Sequence, residues 1–176
     1  MCPACAERLR PAPGRPPPHG VDAWRALYRY DDTARSLLTS LKNGQRRDVV
    51  GWLADRLVVA SPPDAAAVVT WAPTVAGRRH QRGFDQAELL ARSVARRWGL
   101  ACRPLLRRRA GAAQAGRGGR DRRAHPGFDL VGRPPAVVLL VDDVATTGAT
   151  LGAAALALRG AGSRRVEAMV AARAQE

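Results

Sequence analysis

Aromatic residues are scarce in this chain: Phe, Trp and Tyr together make up 5% of its 176 residues. That leaves few rings on which the bases of a single-stranded nucleic acid could stack, which argues against a dedicated single-strand binder. Cysteine is scarcer, with three in all, so a disulfide-stapled scaffold is excluded. No apolar run approaches the roughly 18 residues of a membrane-spanning helix. The N-terminus, MCPACAERLRPAPGRPPPHG, lacks the apolar stretch of a secretory signal. A cytoplasmic location without membrane insertion is therefore expected. Lysine is nearly absent: Lys42 is the only one among 29 basic residues, and the arginine excess sets the formal charge at +14. Such a field attracts polyanions, although arginine amid abundant Ala, Gly and Pro also fits a surface filled by a GC-rich coding bias. The phosphate-loop pattern GxxxxGK[ST] is missing. Gly160 and Gly162 begin a dinucleotide fingerprint that is not completed and that follows no strand. What is present is the apolar content of a folded globule, 46%, in a chain of one-domain length.

The most telling stretch is Val137 to Thr150, VVLLVDDVATTGAT. Its five leading apolar residues suit a strand buried on both faces of a parallel sheet. They run into two adjacent carboxylates, Asp142 and Asp143, and then into a loop of hydroxyls and glycine before an Ala/Leu-rich helix. In parallel sheets ligands sit at the carboxyl ends of the strands. The following helix offers unpaired N–H groups and its positive dipole end to an anion. The pattern therefore predicts a phosphate in the loop and a polyhydroxyl group or Mg²⁺ on the two aspartates.

This stretch resembles the phosphoribosyl-pyrophosphate (PRPP) motif of type I phosphoribosyltransferases. The resemblance implies that Asp142 and Asp143 bind the ribose hydroxyls, and that Ala145, Thr146, Thr147, Gly148, Ala149 and Thr150 cradle the 5′-phosphate. A second segment, Arg82 to Ala91 (RGFDQAELLA), is similar to a signature of the competence protein F (ComF) family, with Asp85 where that family has Asn. Ala72-Pro73 through Arg78-Arg79, and Leu41-Lys42 through Arg46-Arg47, resemble further segments of that family, in its order. The implied fold is an α/β domain whose parallel sheet is flanked by helices. The implied activity is glycosyl transfer: displacement of pyrophosphate from C1 of PRPP, with Mg²⁺, onto an acceptor that the chain does not name. Arg78, Arg79 and Arg82 are the candidates to neutralise the pyrophosphate. The family name also implies a link to DNA uptake in natural competence. The alternative is a non-catalytic module of the same fold that binds single-stranded DNA or a competence partner.

Along the chain, residues 1–20 are Pro-rich and without periodicity, and read as a poorly ordered tail ahead of a domain spanning 21–176. Trp24 to Tyr30 reads as a strand, about Thr33 to Lys42 and about Asp48 to Val59 as helices, and Ala66 to Trp71 as a strand. Asp85 caps a third helix, with Glu88 completing a capping-box pattern. Cys102 to Leu106 reads as a strand and Cys102 as core. Arg107 to Gly127 is dominated by Arg, Gly and Ala and is expected to be mobile. It falls where type I phosphoribosyltransferases carry a loop over the active site, and Gln114 and Arg122 match the family's pattern there. A helix from about Ala149 to Arg159 and a strand from Arg165 to Val170 close the chain. Cys2 and Cys5 have the spacing of half a zinc site. The family carries two such pairs and this chain has one, matched to the second, so zinc is expected to bind weakly or not at all. Alternation of strands and helices predicts a parallel sheet.

Overall fold

The computed structural model describes residues 3–42, 48–60, 68–74, 83–109 and 127–175. The elements run α1 (Pro3–Glu7), β1 (Ala23–Arg29), α2 (Asp32–Lys42), α3 (Asp48–Ala60), β2 (Val68–Trp71) and α4 (Gln86–Trp98). They continue as β3 (Leu106–Arg108), β4 (Phe128–Leu130), β5 (Val137–Ala145), α5 (Ala149–Gly160) and β6 (Arg165–Arg173). Four strands form one parallel sheet in the order β1-β6-β5-β2, while β3 and β4 pair as a separate antiparallel ribbon. The fold is thus mixed α/β, a parallel sheet flanked by helices.

The apolar run Val137 to Val141 lies in β5, which, like β6, is paired on both sides: β5 pairs with β6 and with β2. Its side chains alternate between two cores. Leu139 and Val141 pack with Met169 against α3 and α4, through Val49, Leu53, Leu57, Leu90 and Val94. Val138 and Leu140 pack with Val166, Ala168 and Val170 against Leu151, Ala154 and Leu158 of α5, and against Leu106 and Phe128 of the ribbon. These residues are nearly all below 5% exposed, so the pattern VVLLV supplies both cores at once. Helix α4 begins at a well-formed cap, described below, and ends at Gly99, whose left-handed φ of 68° lets its N–H return to Ala95 and Arg96.

Two expectations are corrected. The Cys102 to Leu106 strand is not continuous: Cys102 makes only an isolated parallel bridge to Val69, and the ribbon strand starts at Leu106. Pro104 has no N–H to donate to a ladder, which accounts for the break. Cys102 itself is half-buried against the core, as expected. The N-terminal segment, read as a poorly ordered tail, is packed along the open edge of β1. Pro11 pairs antiparallel with Tyr28, the Ala12 N–H donates to Leu27 O at 3.0 Å, and the Arg29 N–H donates to Arg10 O at 2.8 Å. Leu9 is buried in the core, and the buried Arg173 donates from Nη2 to Pro13 O at 2.7 Å with its guanidinium over the Trp24 ring. An edge strand presents unpaired backbone groups. An extended Pro-rich chain can satisfy them with its carbonyls, whatever its shortage of apolar side chains.

Candidate functional site

At the carboxyl ends of β5 and β2 lies a cavity of about 170 Å³. One wall is Asp142, Asp143 and Val144 of β5, with Thr150 from the first turn of α5. The other is Ala72 to Thr74 after β2, with Asp85, Gln86 and Ala87 at the start of α4; Arg108 of the ribbon closes the side. The two predicted aspartates and Thr150 are therefore brought to one cavity.

The aspartates differ from their expected setting. The apolar run was expected to end at Asp142, yet β5 continues to Ala145, and Asp142, Val144 and Ala145 are in register with Val170, Ala172 and Arg173. Asp142, read from the sequence as a ligand-binding carboxylate, is only 7% exposed, whereas Asp143 is half-buried. Asp142 Oδ1 accepts the Asp143 N–H at 2.8 Å, and Asp143 Oδ1 accepts the Val144 N–H at 2.9 Å. Burial, and then the neighbouring charge of Asp143, push the Asp142 carboxyl well above its ordinary value of 3.8.

A third carboxylate, Asp85, faces the same cavity. It is 3% exposed. Oδ1 caps α4 by accepting the N–H groups of Ala87 and Glu88 at 3.0 and 3.4 Å, and Oδ2 accepts the Thr74 N–H at 2.8 Å. One side chain thus holds the turn after β2 against the start of α4. Burial raises its pKa above 3.8, opposed by these backbone donors and reinforced by Asp143. Asp85→Asn keeps an acceptor for the cap but turns an amide NH₂ toward the Thr74 donor. Hydrogen exchange is expected to speed up at Thr74 alone in Asp85→Asn. In Asp85→Ala it should speed up at Thr74, Ala87 and Glu88, with a stability loss of about 0.5–2 kcal/mol. Unchanged Thr74 protection in both variants would refute the tie.

The expected phosphate loop forms a turn beside this cavity. Ala145 and Gly148 are buried, and Thr146, Thr147 and Ala149 are exposed. Gly148 is the residue before α5 and has φ of +76°, a conformation that favours glycine. The N-cap Gly148 offers no side-chain acceptor and the first turn of α5 carries no acidic residue, while the Ala149 N–H donates to Thr147 Oγ1 at 3.3 Å. Pro18 of the N-terminal segment lies against Gly148.

Arg78, Arg79 and Arg82, and also Cys2, Gln114 and Arg122, lie outside the described residues. Cys5 is exposed. Among the described residues no group of three or more His, Cys, Asp or Glu is arranged to hold a metal ion, and no helix is long and apolar enough to cross a membrane. Thr74, Gln86 and Arg108 were not expected at the site. Gln86 sits in the quoted signature, but nothing in a run of three arginines marks Arg108 as the one that turns inward. No protein-family model matches the chain, and no curated protein is similar to it.

Proposed function

We propose that this chain binds PRPP together with Mg²⁺ and acts as a phosphoribosyltransferase of the competence protein F type, transferring the phosphoribosyl group to an acceptor. The observation that carries this is the placement of Asp142 and Asp143 in a cavity at the carboxyl end of β5, a strand paired on both sides, next to a turn that opens α5 with a glycine N-cap and no acidic residue in its first turn. The cavity has room for a sugar ring, two carboxylates suit the vicinal hydroxyls of ribose, and the open first turn of α5 suits the 5′-phosphate.

In the reaction so proposed, the C1–oxygen bond to pyrophosphate breaks and the ring takes on oxocarbenium character. The carboxylates of Asp142 and Asp143 hold the hydroxyls and lie on the side where positive charge grows. Arg108 is the cationic side chain of the cavity lining and is suited to meet the departing pyrophosphate, with Arg78, Arg79 and Arg82 as further candidates. Mg²⁺ binds through a few carboxylates, waters and phosphate oxygens rather than an all-protein cage. Two aspartates therefore fit it, and when bound it neutralises the leaving group. Natural competence and DNA uptake remain the proposed setting.

Calorimetry with PRPP, with and without Mg²⁺, tests the binding. Pyrophosphate release across a panel of amine, purine and pyrimidine acceptors tests turnover. Saturable binding that needs Mg²⁺ is expected. No heat with PRPP in either condition would overturn the proposal.

A further inference from the structure

A second and larger cavity, of about 530 Å³, lies at the opposite end of the sheet. Its volume falls within the roughly 300–1,000 Å³ of small-molecule sites. None of its lining comes from a helix. It is built from Arg15 and Pro17 of the N-terminal segment and from the first residues of β1, β5 and β6. Register places Ala23, Glu167 and Leu139 in one row across the three strands, with Arg25 beside Met169 and Arg165 beside Val137. Because side chains alternate along a strand, Arg25, Arg165, Glu167, Leu139 and Met169 share one face.

The chemistry of this lining is divided. Leu139 and Met169, each at most 3% exposed, make an apolar floor. Arg15, Arg25 and Arg165 stand exposed at the rim. The lining holds three guanidiniums and one carboxylate, Glu167, and Arg165 already engages that carboxylate through Nε at 2.7 Å and Nη2 at 2.5 Å. The Arg25 side chain makes no hydrogen bond or ion pair among the described residues. A ligand that fills this cavity must bring negative charge to the rim and a flat or apolar group to the floor. Guanidinium forks recognise phosphate oxygens, and a methionine floor accepts an aromatic ring.

We propose that this cavity binds a nucleotide, with its phosphate on Arg25 and its neighbouring arginines and its base over Leu139 and Met169. The site is separate from the Asp142–Asp143 cavity, shares no residue with it, and stands whether or not PRPP is the ligand there.

The test is calorimetry on the full chain with AMP, GMP, CMP and UMP, and with adenosine and inorganic phosphate as the two halves of the ligand. At least one nucleotide should bind more tightly than either half. Arg25→Glu should weaken it roughly tenfold or more, the loss of one charge-assisted contact. Asp142→Asn should leave it unchanged. Circular dichroism establishes that both variants are folded. No binding by any of the four nucleotides at millimolar concentration overturns the proposal. So does binding that survives Arg25→Glu but is lost in Asp142→Asn, which would place the nucleotide in the other cavity. Phosphate alone binding as tightly as the nucleotides would overturn the assignment of the apolar floor.

Discussion

Asp142→Asn should make the unliganded protein more stable and its complex with Mg²⁺ and PRPP weaker. Asparagine keeps an Oδ1 that can accept the Asp143 N–H, the hydrogen bond seen at 2.8 Å, and removes a charge from a buried site. Burial and Asp143 raise the Asp142 pKa in the folded state above its ordinary 3.8. Between 3.8 and the folded value, the native state therefore holds a proton that the unfolded chain has released. Stability conferred by this group is complete below that window and is lost as pH rises through it. The gain from Asp142→Asn should therefore be absent in acid, where Asp142 is neutral, and grow as pH rises. Each kcal/mol gained should raise the melting temperature by about 2–4 °C. Binding runs the other way. Ribose hydroxyls or Mg²⁺ favour the ionised carboxylate, so PRPP should release a proton on binding and bind better as pH rises. Loss of the carboxylate should cost about 1.5–3 kcal/mol, roughly ten- to 150-fold in affinity. Melting curves across pH, and calorimetry in buffers of different ionisation enthalpy, check both. A variant that binds PRPP like the parent would remove Asp142 from the site.

The location of these carboxylates was legible because two adjacent acids ended an apolar run rich in β-branched residues, and such runs fill doubly covered strands. Their unequal burial was not. Polar residue types gave no sign that β5 would continue through Asp142 to Ala145, since that extension depends on the matching length of β6. Asp85 was legible as a cap from its spacing to Glu88. Its second partner, Thr74, lies eleven residues back, and no local pattern encodes it. Arg108 was invisible for a different reason: in a chain whose basic residues are almost all arginine, residue type no longer separates a site from a solvated surface.

The long elements followed from periodicity and caps: β1, α2, α3, α5 and β6 lie within a few residues of their expected bounds, and α4 starts after its expected cap Asp85. The N-terminal segment was misjudged because composition measures the apolar side chains a segment can bury. This segment is held largely through its backbone, by the open edge of the strand that follows it and by Arg173, 160 residues beyond Pro13. Such pairing is a property of the partner's register rather than of the segment's own residues.

The same segment gives a test of the glycine turn. Gly148 has φ of +76°, and a Cβ built there would stand 2.8 Å from Pro18 Cγ and 3.2 Å from Pro18 Cβ. Gly148→Ala therefore meets both a left-handed backbone that disfavours Cβ and a proline ring at closer than contact distance. The backbone term alone is about 1–3 kcal/mol, and the contact adds to it. Relief requires either Pro18 to move off α5 or the turn to shift. A shifted turn would displace the first N–H groups of α5, which are the groups proposed to hold the 5′-phosphate. Gly148→Ala should lower the melting temperature by several degrees and weaken PRPP at least about tenfold. Pro18→Gly removes the ring and separates the two causes in a double-mutant cycle. If the clash dominates, Gly148→Ala on the Pro18→Gly background should cost little more than the backbone term. If the cost is the same on both backgrounds, the N-terminal segment does not brace the turn. Full stability together with full PRPP affinity in Gly148→Ala would show that the turn neither needs glycine nor holds the phosphate.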